Sequence, residues 1–239
     1  MVVTRPERQA ERFCQSVAAL GGAPIRLPAL EIVPVKSAAA IDQERDIVIY
    51  TSPNAVTCGK AFAAAGTRLM AVGKRTAASL VAAGYANVDV PDGEPNSENL
   101  LALPQLQAVS GARILIVKGQ EGRRTLVMTL ATRGARVETA EVYRRAPPTV
   151  DDRAISRLFA EPACTVLAFT SGDIARNLVK MVDPARRDRL LRLPLVVGSL
   201  RIGRIANELG FRHPPEVADS PADAPMLDAV CRLVARLKR

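Results

Sequence analysis

The sequence contains no tryptophan, only 3% aromatic residues and a single histidine among its 239 residues. With so few aromatic side chains, a surface that stacks the bases of single-stranded nucleic acid is not expected. The one histidine, His213, stands directly before Pro214 and Pro215. A Ser-His-Asp triad or a multi-histidine metal site is therefore not expected, and no metal ion is predicted.

Cysteine is also scarce, and the four residues, Cys14, Cys58, Cys164 and Cys231, lie far apart without a C-x-x-C pair. This spacing argues against a metal cluster or a disulfide framework and predicts reduced, buried thiols, as is typical of the cytoplasm. Long apolar runs are missing as well, so neither a membrane span nor a signal peptide is expected. These absences together predict a cytoplasmic protein.

Positive charge is abundant, with a formal net charge of +9 and a pI near 9.9. This charge implies an anionic partner, which charge alone does not identify as nucleic acid, a membrane surface or a polycarboxylate. No nucleic-acid module is recognisable, and the basic residues are dispersed. The densest basic stretch, residues 186–192, is interrupted by Asp188 and is predicted to be a solvated helix face. Neither nucleic acid nor membrane is expected as a partner.

Short β-branched runs alternate with longer stretches of helical period, which predicts parallel strands joined by crossover helices. Ten candidate strands are found, too many for one simple sheet and suitable for two. Three pairs of segments are similar to each other: 47–56 and 166–175, 72–73 and 197–198, 2–5 and 114–118. The chain is therefore predicted to hold two copies of one α/β domain.

Residues directly after the predicted strands are the candidates for binding, because strand C-termini and helix N-termini form the ligand edge of such sheets. Thr51-Ser52 and Thr170-Ser171 supply hydroxyls there, either as simple helix caps or as an anion site. The segment 72–76 is not a Walker loop, because Arg75 separates Lys74 from Thr76. No G-x-G-x-x-G follows a strand, so a dinucleotide cofactor is not predicted.

Short motifs along almost the whole chain resemble, in their order and spacing, the uroporphyrinogen-III synthase family. The matching segments are Val3-Thr4-Arg5-Pro6, Tyr50 to Ala55, Val72-Gly73 with Thr76-Ala77, Asn96 to Leu100, Glu141 to Arg144, Phe169 to Gly172 and Ala218 to Pro221. Each motif is weak on its own, and their joint order carries the resemblance.

The resemblance implies an α/β fold of two similar domains, each a parallel sheet flanked by helices, joined by a two-stranded linker with the cleft between them. The first domain is expected to be discontinuous, with residues 1–35 and 146–239, and the second to span 36–145. From the residues alone, the chain would instead be divided into consecutive halves near residue 110.

The resemblance also implies an activity: cyclisation of hydroxymethylbilane, a linear tetrapyrrole with eight carboxylates, to uroporphyrinogen III with loss of water and inversion of ring D. It implies no cofactor, a monomer, and delivery of the substrate by hydroxymethylbilane synthase. The alternative is a non-catalytic two-lobed binding protein for an anionic metabolite.

Site residues follow from the same resemblance. Tyr143 is expected to protonate the leaving hydroxyl, or else to be a tyrosine packed at a domain hinge. The residues expected to bind substrate carboxylates, with surface solvation as the alternative for the two cations, are Arg5, Ser52, Gly73, Thr76, Lys118, Thr170, Ser171, Gly198 and Ser199.

Overall fold

The computed structural model describes residues 1–39, 43–62, 66–122, 124–149, 152–160 and 165–237. The strands are Val2–Val3 (β1), Ile25–Arg26 (β2), Glu31–Pro34 (β3), Ile47–Tyr50 (β4), Arg68–Ala71 (β5), Val88–Asp89 (β6), Arg113–Gly119 (β7), Arg136–Ala146 (β8), Leu167–Phe169 (β9), Leu195–Val197 (β10) and Glu216–Val217 (β11). The α-helices are Glu7–Ala19 (α1), Pro53–Gly59 (α2), Lys74–Ala82 (α3), Ser97–Leu101 (α4), Thr125–Thr132 (α5), Asp152–Ala160 (α6), Gly172–Met181 (α7), Pro184–Leu191 (α8), Leu200–Glu208 (α9) and Asp223–Leu237 (α10). Single 3-10 turns follow α2 and α4.

The chain forms two compact units, unit 1 of Met1–Glu31 with Ala146–Arg239 and unit 2 of Ile32–Arg145. A division near residue 110 does not describe them, because β1 and β2 complete the sheet of β9, β10 and β11. The predicted α/β class, with parallel sheets flanked by helices, is confirmed.

Unit 1 contains a parallel sheet with the order β11-β10-β9-β1-β2. Its strands bury both faces, as in other sheets covered by helices on each side. Phe169 and Leu178 belong to the apolar cluster on one face, with α7. Val3 and Phe13 belong to the cluster on the other face, with α1 and α10.

Unit 2 contains a sheet with the order β3-β8-β7-β4-β5-β6, in which β8, β7, β4, β5 and β6 are parallel. The run Ile47–Tyr50 is buried along its whole length, because helices cover both faces. Val48 and Tyr50 pack towards α2 and α3, and Ile47 and Ile49 pack towards α4 and α5.

Both sheets place the corresponding segments of the internal repeat in the same order. Strands β2, β1, β9, β10 and β11 of unit 1 match β8, β7, β4, β5 and β6 of unit 2. The predicted alignment of segment 72–73 with segment 197–198 is wrong by one residue. The carbonyl of Tyr50 accepts the amide of Val72 at 3.1 Å, and that of Phe169 accepts the amide of Gly198 at 3.0 Å. Val72 therefore corresponds to Gly198, and Gly73 to Ser199.

Two local expectations are also corrected. Cys14 is buried, but Cys231 is exposed, since Ala229 and Leu233 are the α10 residues that face the sheet. Cys164 lies outside the described residues. The basic stretch on α8 is more than a solvated face, because Arg189 donates to the carbonyl of Phe159 at 2.7 Å.

Within the described ranges, no helix is long and apolar enough to cross a membrane.

Candidate active site

Each sheet has a switch point, where successive connections run in opposite directions along the sheet. In unit 1 it lies between β1 and β9, and in unit 2 between β7 and β4. Ligands of open α/β sheets bind beyond the strand C-termini at such points. Arg5 and Ser171 follow the switch-point strands of unit 1, while Ser52 and Lys118 stand at those of unit 2. The topology therefore brings predicted residues to the binding edge of each unit.

Ser52 and Tyr143 meet at the edge of unit 2, with 3.1 Å between the serine Oγ and the phenol oxygen. The Oγ of Ser52 also accepts the amide hydrogen of Ala55 at 3.0 Å, which caps α2. Because the serine oxygen already accepts one hydrogen bond, its own proton can be donated to the phenol oxygen. Tyr143 is only 5% exposed, so its hydroxyl is the one polar end of a buried ring.

Tyr143 faces Ser52 because the β7–β8 ladder is irregular. Lys118 pairs with Glu141 and Gly119 pairs with Tyr143, so Val142 is an extra residue on β8. Val142 and Tyr143 consequently pack into the same apolar cluster. In a regular strand, consecutive side chains point to opposite faces of the sheet. The bulge thus turns the tyrosine towards α2.

Ser171 is the counterpart of Ser52 in unit 1. Its Oγ accepts the amide hydrogen of Ile174 at 3.3 Å and caps α7. Thr170, which precedes it, is half-buried at the end of β9. Both predicted hydroxyls therefore lie at the strand edge, although the structure gives Ser171 no tyrosine neighbour comparable to Tyr143 among the described hydrogen bonds.

The two turns after β5 and β10 pack against prolines of the same unit. A Cβ atom at Gly73 would lie 2.5 Å from Cβ of Pro95, and one at Gly198 would lie 2.8 Å from Cα of Pro221. Both positions therefore require glycine for internal packing, whether or not a ligand approaches. The family resemblance implied a binding role for Gly73, and the sequence did not indicate its proline neighbour.

The helices after these turns carry the remaining predicted hydroxyls. Ser199 caps α9 by accepting the amide hydrogen of Ile202 at 3.4 Å. Thr76 lies in the first turn of α3 and is buried, with 3% exposure. Since Thr76 and Ile202 are corresponding positions, unit 1 has no hydroxyl equivalent to that of Thr76.

The predicted cations Arg5 and Lys118 occupy equivalent positions, and both already have carboxylate partners. Arg5 forms an ion pair with Asp223, donates to the carbonyl of Pro221 at 3.0 Å and stacks 4.2 Å from the ring centroid of Phe13. Nζ of Lys118 lies 3.8 Å from a carboxylate oxygen of Glu141. A substrate carboxylate would therefore have to share or displace these partners.

Three contributors to the site were not identified from the sequence: Gly119, the bulge at Val142, and Asp223. The sequence offered one signal for them: a glycine, Gly119, directly follows the predicted site residue Lys118 at the end of a strand. In the part of the chain that the structure describes, no cluster of three or more histidine, cysteine or acidic side chains is arranged to hold a metal ion.

Comparison with known proteins gives consistent results. The sequence model of the family described as uroporphyrinogen-III synthase HemD matches residues 11–223. A uroporphyrinogen-III synthase of Salmonella typhimurium is 31% identical over 96% of this chain and 99% of that protein. The fold is similar to that of a mutant uroporphyrinogen III synthase of Thermus thermophilus, with a TM-score of 0.59, 21% identity and 98% coverage of both chains. It is also similar to uroporphyrinogen-III synthetase of Helicobacter pylori, with a TM-score of 0.63, 18% identity and coverage of 89% and 92%.

Proposed function

Because the chain belongs to the uroporphyrinogen-III synthase family, we propose which of its residues carry out that family's reaction. The protein is an enzyme of the lyase class that cyclises hydroxymethylbilane to uroporphyrinogen III, with loss of water and inversion of ring D, in tetrapyrrole biosynthesis. The alternative of a non-catalytic binding protein is not favoured by this family membership.

The reaction begins when the terminal hydroxyl of hydroxymethylbilane leaves as water. The pyrrole nitrogen of ring A supplies the electrons, so a resonance-stabilised azafulvene cation remains. Ring D attacks this cation through its substituted position, and the spirocyclic intermediate fragments and recloses with ring D reversed. The protein therefore has two tasks, to protonate the leaving hydroxyl and to hold the chain in the required conformation.

We assign the first task to Tyr143, and its contact with Ser52 is the observation that carries the assignment. The phenol proton leaves with the hydroxyl as water, and the Ser52 hydroxyl donates a hydrogen bond to the phenolate that remains. The proton released when ring D regains aromaticity restores the phenol, so protons balance over the cycle. General acid catalysis of this kind contributes about 10- to 1000-fold here, which overlaps only the lower part of its usual range of about 100- to 10,000-fold.

We assign the second task to groups at the strand edges. The hydroxyls of Thr76, Thr170, Ser171 and Ser199, the turns at Gly73 and Gly198, and the cations Arg5 and Lys118 are proposed to bind the substrate's carboxylates. Ser52 was expected among them, but its single proton is assigned to Tyr143, so we propose that it acts there instead. The amide of Gly198 already donates to Phe169, so we propose that this glycine shapes the turn while Ser199 makes the contact. The net charge of +9 supports attraction of an octa-acid over longer distances.

We further propose that the enzyme acts as a cytoplasmic monomer without a cofactor. Delivery by hydroxymethylbilane synthase is proposed because free hydroxymethylbilane closes spontaneously to the type I isomer. Rapid transfer would limit that loss.

The test is single-turnover conversion of hydroxymethylbilane generated in situ, with the type I and type III products resolved. We expect the wild type to form type III and Tyr143→Phe to form it about 10- to 1000-fold more slowly. Tyr85→Phe serves as the control, since Tyr85 packs beside the core of unit 2 without belonging to the proposed site. A Tyr143→Phe variant with the wild-type rate would remove the assigned role, and a wild type yielding only type I would contradict the function.

A further inference from the structure

Gly119 lies directly against the ring of Tyr143. A Cβ atom at this position would be 2.7 Å from Cζ, 2.8 Å from Cε2 and 3.1 Å from the phenol oxygen. The φ angle of Gly119 is not in the left-handed region, so an alanine can adopt this backbone. The three nearest atoms that such a side chain would meet all belong to Tyr143, so the need for glycine at this position comes first from the tyrosine.

The bulge that turns Tyr143 towards α2 is held from both sides. The amide of Gln120 donates to the carbonyl of Tyr143 at 2.9 Å, and the amide of Val35 donates to the carbonyl of Val142 at 3.0 Å. With its backbone anchored in this way, the ring occupies the space that a side chain at Gly119 would fill. The phenol oxygen then lies within reach of Ser52.

We propose that Gly119, together with the β7–β8 bulge, is a positioning element that sets the phenol of Tyr143 for proton transfer. This inference rests on the proposed role of Tyr143 and deepens it. Gly119 makes no contact with the leaving hydroxyl in this proposal. It acts through the tyrosine, so its removal should matter only while the tyrosine hydroxyl is present.

Gly119→Ala forces the ring to move by about 0.7 Å, from 2.7 Å to ordinary contact at 3.4 Å. A misplacement of about 1 Å can cost about 100-fold in rate. We expect kcat of Gly119→Ala to fall about 10- to 100-fold with a smaller change in KM. Of the proposed carboxylate-binding groups only Lys118 adjoins Gly119, and its side chain pairs with Glu141. In the Tyr143→Phe background the same substitution should change kcat less than about 2-fold.

Gly59→Ala is the matched control. Its Cβ atom would lie 2.7 Å from Val117 and 3.0 Å from Val142. Its nearest neighbours are therefore aliphatic side chains of the same core, one of them the side chain of the bulge residue, and not the ring of Tyr143. We expect Gly59→Ala to lower the melting temperature and to alter kcat by the same small factor in both backgrounds. If Gly119→Ala acted only by destabilising unit 2, the two glycine variants would show similar changes in melting temperature and in kcat.

A spectroscopic measurement reports the ring position directly. The chain has three tyrosines and no tryptophan, so protein labelled with ¹³C at tyrosine Cζ should give three resonances. Tyr143→Phe identifies one of them, and Gly119→Ala should shift that resonance while leaving those of Tyr50 and Tyr85 in place. An unchanged Tyr143 resonance would overturn the proposal.

The outcomes separate the two levels of inference. If Tyr143→Phe slows the reaction and Gly119→Ala slows it independently in both backgrounds, Gly119 is not a positioning residue although Tyr143 keeps its role. If Tyr143→Phe has the wild-type rate, both proposals fail. Should Gly119→Ala fold poorly, the same substitution is made in a Tyr143→Leu background, where the ring atoms in conflict are absent. It should lower the melting temperature much less there than in the wild type, and an equal loss in both backgrounds would contradict the ring contact.

Discussion

Replacing Ser52 with alanine separates catalysis from helix capping, because this hydroxyl takes part in two interactions. Its Oγ caps α2 through Ala55 at 3.0 Å and contacts the phenol of Tyr143 at 3.1 Å. Loss of the cap should lower the free energy of unfolding by about 1 kcal/mol, within the usual 0.5 to 2 kcal/mol. Ser52 bonds the neutral phenol before proton transfer and the phenolate after it, so only the difference between these two bonds is lost from the barrier. That difference is about 1 kcal/mol, which corresponds to about a 5-fold lower kcat.

The assay combines steady-state measurement of kcat for formation of the type III isomer with urea unfolding. Ser52→Ala should show both losses, and Ser52→Thr, which keeps the hydroxyl, should recover most of the rate. Asp183→Ala is the control for capping, since Asp183 accepts the amide of Ala185 at 2.7 Å and caps α8 away from the strand edge. Asp183→Ala should lower the free energy of unfolding without changing kcat.

A catalytic role for Ser52 through Tyr143 is refuted if Ser52→Ala loses stability but keeps the wild-type kcat, because Ser52 would then be only a cap. It is also refuted if the rate loss persists unchanged in the Tyr143→Phe background. The shared hydrogen bond requires the two effects to be non-additive.

Two further predictions concern charge pairs of unit 1. If Arg5 binds substrate carboxylates, Asp223→Asn should lower KM about 5-fold, because it removes a protein carboxylate that competes for Arg5. An unchanged KM together with lower stability would limit the role of Arg5 to anchoring α10. Burial alone would raise the pKa of Glu216, but the hydrogen bond from Arg232 and the charges of Arg236 and Arg232 lower it overall. The resulting stabilisation is present above about pH 4.3, the pKa of an unfolded glutamate, and is lost as the pH falls through the lower pKa of the folded state. Below about pH 4.3, the urea midpoint of Glu216→Gln should therefore depend less on pH than that of the wild type.

Local signals in the sequence determined much of the architecture. The buried run Ile47–Tyr50, the hydroxyl caps Ser52 and Ser171, and the repeated strand–helix pattern depend on neighbours within a few residues, so they could be identified without a structure. The α/β class followed from these signals and is confirmed, as is the family. The residues alone did not predict the short strand β3. It was expected only from the two-stranded linker that the family resemblance implies, and its position beside β8 is what distinguishes it from a loop.

Tertiary structure alone decided which residues touch at the site. The contact of Ser52 with Tyr143 depends on one extra residue in β8 relative to β7, and a bulge is a property of two paired strands rather than of either sequence. The glycine requirement at Gly119 and Gly73 likewise comes from side chains distant in sequence, a tyrosine ring and a proline. The one-residue error in aligning the two Val-Gly turns has the same origin, because equal letters were matched where hydrogen-bond register sets the true correspondence.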